Sequence, residues 1–192
     1  DVMLENQKDS APYFYIFYNM GTHHGFDSPD LKYGDASNWQ LNKFHNYDNE
    51  FGRFFKRMEK ENVFENTILV FTADHAAYPE PDYKSTFGSV QEGFISKIPL
   101  FFYTKNCSHQ VFDAKGRNSL DIAPTLLDVL GFEDSENYFV GSTLLGEGTD
   151  MSRVCAIGDD VYILERGKLV PLEGKSEYYK IVMKNYSILL NE

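Results

Sequence analysis

The chain has 192 residues, a net charge of −11, and 42% hydrophobic and 16% aromatic residues. That length and apolar content support one packed domain and exclude disorder as a whole-chain reading. The negative charge argues against nucleic acid and anionic membrane as partners, since both would repel it.

No apolar run reaches the roughly 18 residues of a transmembrane helix. The chain opens on Asp1 rather than Met and soon enters an apolar run, so it reads as a piece of a longer polypeptide. Residues 1–10 are polar and read as a helix end or a lead-in. Residues 12–19, with Tyr13 to Tyr18 all aromatic or β-branched, predict a first buried strand. It discharges into Gly21-Thr22-His23-His24. Gly25 to Asn38, rich in Gly, Pro, Asp and Ser, predicts a long loop on the side where the histidines emerge.

From Trp39 to Asn62 the apolar residues fall at Leu41, Phe44, Tyr47, Phe51, Phe54, Phe55 and Met58, which is helical spacing. Arg53, Lys56, Arg57, Glu59 and Lys60 fall on or near its outer face. A strand follows over 67–72 and ends in Asp74-His75. Strand, helix and strand form a βαβ unit, so the two strands are expected to be parallel and to present both histidine clusters on one sheet edge.

A loop from Ala76 to Ser96, long enough to be functional, leads to a strand over 98–103. Asp121 to Gly131 predicts a short helix with an Asp near its start, Pro124 in the first turn and Gly131 as its stop. The tail, Val154–Ile157, Val161–Leu164 and Lys168–Leu172, has a hairpin signature around Arg166-Gly167; Tyr178 to Leu190 fits helix or strand. The fold expected is α/β, a mostly parallel sheet flanked by helices with a small C-terminal antiparallel region. It forms one domain over 1–192, with its core in 12–146 and a β-rich tail in 150–192.

Asp and neutral His are good ligands for a divalent cation, and a buried strand has no use for them in its interior. A plainer reading makes Asp74 an N-cap beside a surface His75, and His23 and His24 turn histidines bonded to backbone carbonyls. Position after a strand, with two clusters on one edge, favours the ligand reading. Lys84 can bind an anion or be solvated. Asp48 and Asp121 read as helix-start or cap residues, and Cys107 and Cys155 as small buried hydrophobes. The sequence holds no Gly-x-Ser-x-Gly elbow, P-loop, Gly-x-Gly-x-x-Gly or His-Glu-x-x-His.

Asn19-Met20-Gly21-Thr22-His23-His24-Gly25-Phe26 resembles a histidine-bearing segment of the alkaline phosphatase/sulfatase superfamily. Tyr47-Asp48 to Gly52, then Glu65-Asn66-Thr67 to Asp74-His75, resemble its helix, turn and Asp-His strand end. Ile98-Pro99-Leu100, Asp121 to Leu127 and Tyr138 to Leu145 follow in the family's order. The nearest look is to its lipoteichoic acid synthase and phosphoglycerol or phosphoethanolamine transferase branch.

The resemblance implies an alkaline-phosphatase-like fold and a metal-dependent phosphoester transferase or hydrolase. It makes Asp74 and His75 ligands of a divalent ion (Mn, Mg, Zn or Ca), and His23 and His24 contacts of the substrate. It puts the nucleophile in a segment before this chain and implies an extracytoplasmic, membrane-anchored parent acting on a phosphate or sulfate ester, lipid- or glycan-linked. Ala76-Ala77-Tyr78 stands where the family usually has Gly, and residues 76–108 hold no histidine, which argues against a second metal. A sulfuric ester hydrolase is the first alternative, although neither cysteine sits in a Cys-x-Pro-x-Arg motif. A non-catalytic α/β domain binding a polyanion or glycan is the second.

Overall fold

A computed structural model describes residues 2–8, 11–78, 80–88, 97–114, 116–132, 139–148, 153–157, 160–165, 168–172, 177, 179–180 and 184. The Arg166-Gly167 turn, most of Tyr178–Leu190, Tyr138 and the end of the loop before Ser96 lie outside these residues. The chain divides into two compact units, Asp1–His109 and Gln110–Glu192.

The first unit is organised by one amphipathic helix. Short α1 (Val2–Asn6) precedes it, and α2 runs Trp39–Lys60. Its N-cap is Asn38, whose side chain accepts from the Leu41 N–H at 3.1 Å. Arg53, Lys56, Arg57, Glu59 and Lys60 are exposed, as the periodicity predicts. The opposite stripe packs on a two-stranded sheet of β1 (Leu69–Thr72) and β2 (Leu100–Tyr103).

Register pairs Leu69 with Tyr103 and Phe71 with Phe101, so these four share one face. Phe71 and Phe101 stack at 5.0 Å, and Phe51 meets their edges at 5.1 and 6.2 Å. One helical turn on, Phe55 packs against Tyr103 at 4.7 Å and Phe64 at 5.0 Å. Buried Met58, Val63 and Phe64 close that end, with Met3, Leu4 and Leu69 packed around them. At the other end, buried Asn42 accepts from Tyr33 N–H at 2.9 Å and donates to Asp27 and the Ala36 carbonyl, fixing the loop that precedes α2.

The expected first strand and its parallel pairing are corrected. Residues 12–19 form no strand, and Phe14, Ile16 and Phe17 are 68%, 79% and 68% exposed. Aromatic and β-branched composition supplies β-propensity, but a strand also needs a neighbour offering backbone donors and acceptors. Among the described residues β1 pairs with β2 alone. That pairing is antiparallel, and no described pair is parallel, so the βαβ premise fails here. The first unit ends its described loop region with α3 (Pro81–Phe87), carrying exposed Lys84. Cys107 is exposed rather than buried; Cys155 is half-buried, and burial pushes its thiol pKa up.

In the second unit, α4 (Ile122–Val129) ends at Gly131, whose φ of 78° closes a Schellman turn through Phe132 N–H to the Leu127 carbonyl at 2.9 Å. Strands β3 (Val154–Ile157), β4 (Asp160–Glu165) and β5 (Lys168–Pro171) form the antiparallel tail the sequence predicts. Asp121 stands at the helix start, but its carboxylate does not cap. It takes the Arg117 Nε–H at 2.8 Å and the Ser142 N–H at 2.8 Å, with side-chain exposures of 0% for Asp121 and 7% for Arg117. Arg117 also donates to the Ser142, Thr143 and Gly146 carbonyls. Gly141 must be glycine there, since a Cβ would fall 2.2 Å from the Leu120 carbonyl oxygen. Asp48 is not a cap either; it is exposed in the middle of α2.

Removing one partner of this buried pair leaves the other's charge uncompensated. Asp121→Ala is expected to cost about 3–5 kcal/mol, read as a lower urea midpoint for the second unit. The double variant Arg117→Met with Asp121→Asn removes both charges and keeps an acceptor for Ser142 N–H. Because Arg117→Met also removes the bonds to the Ser142, Thr143 and Gly146 carbonyls, the double variant is expected to recover part of that loss; a single-variant cost below about 1 kcal/mol would show a solvated pair instead.

Candidate functional site

β1 ends at Thr72, and the next turn presents Asp74 and His75 at the surface, both about half-exposed. Asp74 Oδ1 accepts the His75 N–H at 3.0 Å, which fixes the turn, and Oδ2 accepts the Tyr18 hydroxyl at 2.9 Å. Burial pushes the Asp74 carboxyl pKa up. The Tyr18 hydrogen bond, the His75 charge and the backbone donors together outweigh it and hold the group below its ordinary range. The same contact raises the Tyr18 hydroxyl, because its proton is shared with a carboxylate that repels a phenolate.

His75 Nδ1 lies 2.7 Å from the Ala76 carbonyl oxygen. A carbonyl can only accept, so Nδ1 carries the proton and the neutral ring keeps its lone pair on Nε2. That nitrogen sits 3.7 Å from Asp74 Oδ2. Two ligands of one tetrahedral ion, at bonds of roughly 2.1 Å, stand about 3.4 Å apart. The 3.7 Å separation is close to that spacing, so Asp74 and His75 could both reach one cation. Among the described residues no group of three or more His, Cys, Asp or Glu is placed to hold a metal.

The histidine turn is built separately. Asn19 Oδ1 accepts Gly21 N–H at 2.6 Å and His23 N–H bonds the Met20 carbonyl at 3.0 Å. Gly21 has no room for a side chain, since a Cβ would lie 2.8 Å from Asn19 Oδ1. His23 Nδ1 donates to the His24 carbonyl at 2.9 Å, the backbone arrangement of an ordinary turn histidine, and its ring meets Phe26 at 5.9 Å.

His24 differs. Its Nδ1 makes an ion pair with Glu80 Oε2, and its ring stands edge-on to Trp39 at 5.6 Å. Beneath it, buried Lys43 donates to the His23 carbonyl at 3.3 Å and lies over the Trp39 ring at 4.6 Å. Desolvation lowers the Lys43 pKa, and the Glu80 charge opposes that shift.

The structure thus joins Asp74 directly to His75, and ties the two segments at both flanks, through Tyr18 to Asp74 and through His24 to Glu80. Three residues escaped the sequence reading. Tyr18 lay inside an expected strand. Lys43 is a cation in the buried stripe of a helix whose other lysines are exposed. Glu80 precedes Pro81, a helix-start signal that marked the place but not the partner.

The sequence pattern of the Sulfatase family matches residues 1–132. The ulvan-active sulfatase of Formosa agariphila is 27% identical over 116 residues, 60% of this chain and 19% of that protein. Lipoteichoic acid synthase 2 of Bacillus subtilis is 22% identical over 152 residues, 71% of this chain and 23% of that protein. The lipoteichoic acid synthase-like YvgJ of Bacillus subtilis is 24% identical over 157 residues, 70% of this chain and 25% of that protein. The chain spans about a fifth to a quarter of the length of these relatives. No solved structure matches it. With a family pattern running from α1 past the end of α4 and over the Asp74-His75 turn, the chain belongs to the sulfatase family of the alkaline phosphatase/sulfatase superfamily.

Proposed function

We propose that this chain carries part of the active site of a metal-dependent phosphoester transferase or hydrolase, of the phosphoglycerol or phosphoethanolamine transferase kind. The observation that carries this reading is the Asp74-His75 turn at the end of β1, with Nδ1 of His75 against the Ala76 carbonyl and the Nε2 lone pair 3.7 Å from the carboxylate. The two lipoteichoic acid synthase relatives support the phosphoester side.

A phosphate ester resists attack because its charge repels nucleophiles. A divalent cation held by Asp74 and His75 would neutralise that charge and lower the pKa of a coordinated hydroxyl. Asp74 contributes formal charge, and the Tyr18 hydrogen bond helps hold its carboxyl below the ordinary range. His24, with His23 beside it, hydrogen-bonds the ester's anionic or departing oxygen. We assign the nucleophile and the remaining ligands to a longer, membrane-anchored extracytoplasmic protein. Within the described residues no helix is long and apolar enough to cross a membrane.

A sulfuric ester hydrolase is the second reading, favoured by the ulvan-active sulfatase at 27% identity. It makes the same use of Asp74 and His75, and the nucleophile separates the two. A domain that only binds a polyanion or glycan is separated by metal.

In the full-length protein, Asp74→Ala and His75→Ala are each expected to abolish manganese or zinc retention and activity, measured by metal analysis and ester turnover. Unchanged metal content with unchanged activity would leave the binding module. For this chain alone, manganese affinity is expected to be about millimolar or weaker, with no turnover; tight stoichiometric binding with activity would place the whole site within these residues.

Tyr18→Phe tests the support of Asp74. The carboxyl is depressed in the folded protein, so its contribution to stability is present above the unfolded pKa and lost as pH falls through the folded one. Without the hydroxyl, Asp74 is expected to titrate higher, followed by carboxyl carbon NMR, and metal binding is expected to fail at a higher pH. An unmoved titration would show that the Tyr18 bond does not form.

A further inference from the structure

Glu80 is outside every role assigned so far, yet its carboxylate is the partner of His24 Nδ1. An ionised carboxylate only accepts, so this contact puts a proton on Nδ1 whatever the charge of the ring. The ring has then one polar atom left for a ligand, Nε2. It donates to an anionic oxygen when the ring is doubly protonated and accepts from a hydroxyl when it is not.

Both partners are held from behind. Glu80 is the residue before α3, its N–H bonded to the Tyr78 carbonyl at 2.8 Å and its carbonyl taken by Lys84 N–H at 2.9 Å. α3 is in turn fixed to the start of α2 by Asn38 Nδ2 to Thr86 Oγ1 at 3.1 Å and by Phe44 against Phe87 at 5.6 Å. On the other side Trp39 borders the His24 ring, and Lys43 holds the preceding carbonyl. Glu80 also stands five residues after His75, so one short segment supplies both a proposed metal ligand and the support of a proposed substrate contact.

We propose that Glu80 is the positioning residue of His24: it fixes the ring's protonation and its orientation against Trp39, so that Nε2 is the atom offered to a phosphate or sulfate oxygen of the ester. This deepens the reading of the site given above and rests on it. The surface ion pair itself contributes little to stability; its consequence is orientation. For metal-bound histidines the loss of such a carboxylate costs about 10–100-fold, and the lower end of that range is taken for a ring that contacts substrate.

The first measurement needs no activity. Long-range nitrogen–proton NMR of the His24 ring above the carboxylate range is expected to show Nδ1 protonated. In Glu80→Ala that preference is expected to vanish while the thermal melt stays in place. An Nδ1 lone pair in the unaltered protein, or an identical spectrum in Glu80→Ala, would overturn the proposal whatever the reaction. The second uses ester turnover by the full-length protein. Glu80→Ala is expected to lower kcat/KM by about tenfold, Glu80→Asp to recover part of it, and Glu80→Ala to add nothing on a His24→Ala background. A full additional loss on that background would show that Glu80 acts independently of His24. A correct ring spectrum with no metal-dependent turnover would overturn the enzymatic reading and leave the positioning intact.

Discussion

The aromatic seam between α2 and the β1–β2 face is the constraint on which the first unit depends. Phe51 against Phe71 and Phe101, then Phe55 against Phe64 and Tyr103, interlock at ring separations of 4.7–6.2 Å. Aromatic pairs, three of these four edge-to-face, are worth roughly 0.5–1.5 kcal/mol each beyond the area they bury, and they are directional. They set where along α2 the sheet sits. Because β1 is only four residues long, fixing Phe71 also fixes the turn three residues later that carries Asp74. The same helix begins with Trp39 and Lys43, so a single rigid element reaches both the Asp-His turn and the His24 ring.

Within each unit the polar groups divide by burial. Lys43 and the Arg117–Asp121 pair are buried and satisfied by specific partners, so they act through position. Asp74, His75 and His24 are half-exposed and keep free valences, as groups that exchange ligands must. Asp74 has both oxygens occupied by one donor each, and a carboxylate accepts about four bonds. Tyr18 therefore holds the anion in place without using up its capacity.

Much of this was legible in the sequence because it rests on local periodicity. The α2 stripe, its charged outer face, the Gly131 stop of α4 and the three tail strands follow from spacing and from residues that tolerate one backbone geometry. The strand expected over 12–19 was not, because pairing is a tertiary event; Phe14 and Ile16 have the composition of a core strand and lie exposed without a ladder. Strand direction failed for the same reason: the parallel expectation rested on a strand–helix–strand unit whose first strand does not form, and the apolar run over 98–103 does not say which way it pairs. In the site, Asp74 and His75 are neighbours in sequence and were found together. Glu80 and Lys43 act across 56 and 20 residues, on His24 and on the His23 carbonyl, and nothing local announces such partners.

The ligand arithmetic bears on what this surface suits. One carboxylate and one neutral imidazole give a charge of −1, so a divalent cation bound to them alone would retain +1 and several open positions. Such a centre attracts an anionic ester rather than being quenched by the protein. The surrounding net charge of −11 works against that anion at long range, with screening beyond roughly 8 Å at physiological salt. Long-range attraction would therefore add little, and capture of such an ester would rest on short-range contacts. In the proposed site, a histidine whose Nε2 is oriented by the Glu80 contact would be one such short-range donor, and that orientation, more than the stability of an exposed pair, is what the contact contributes.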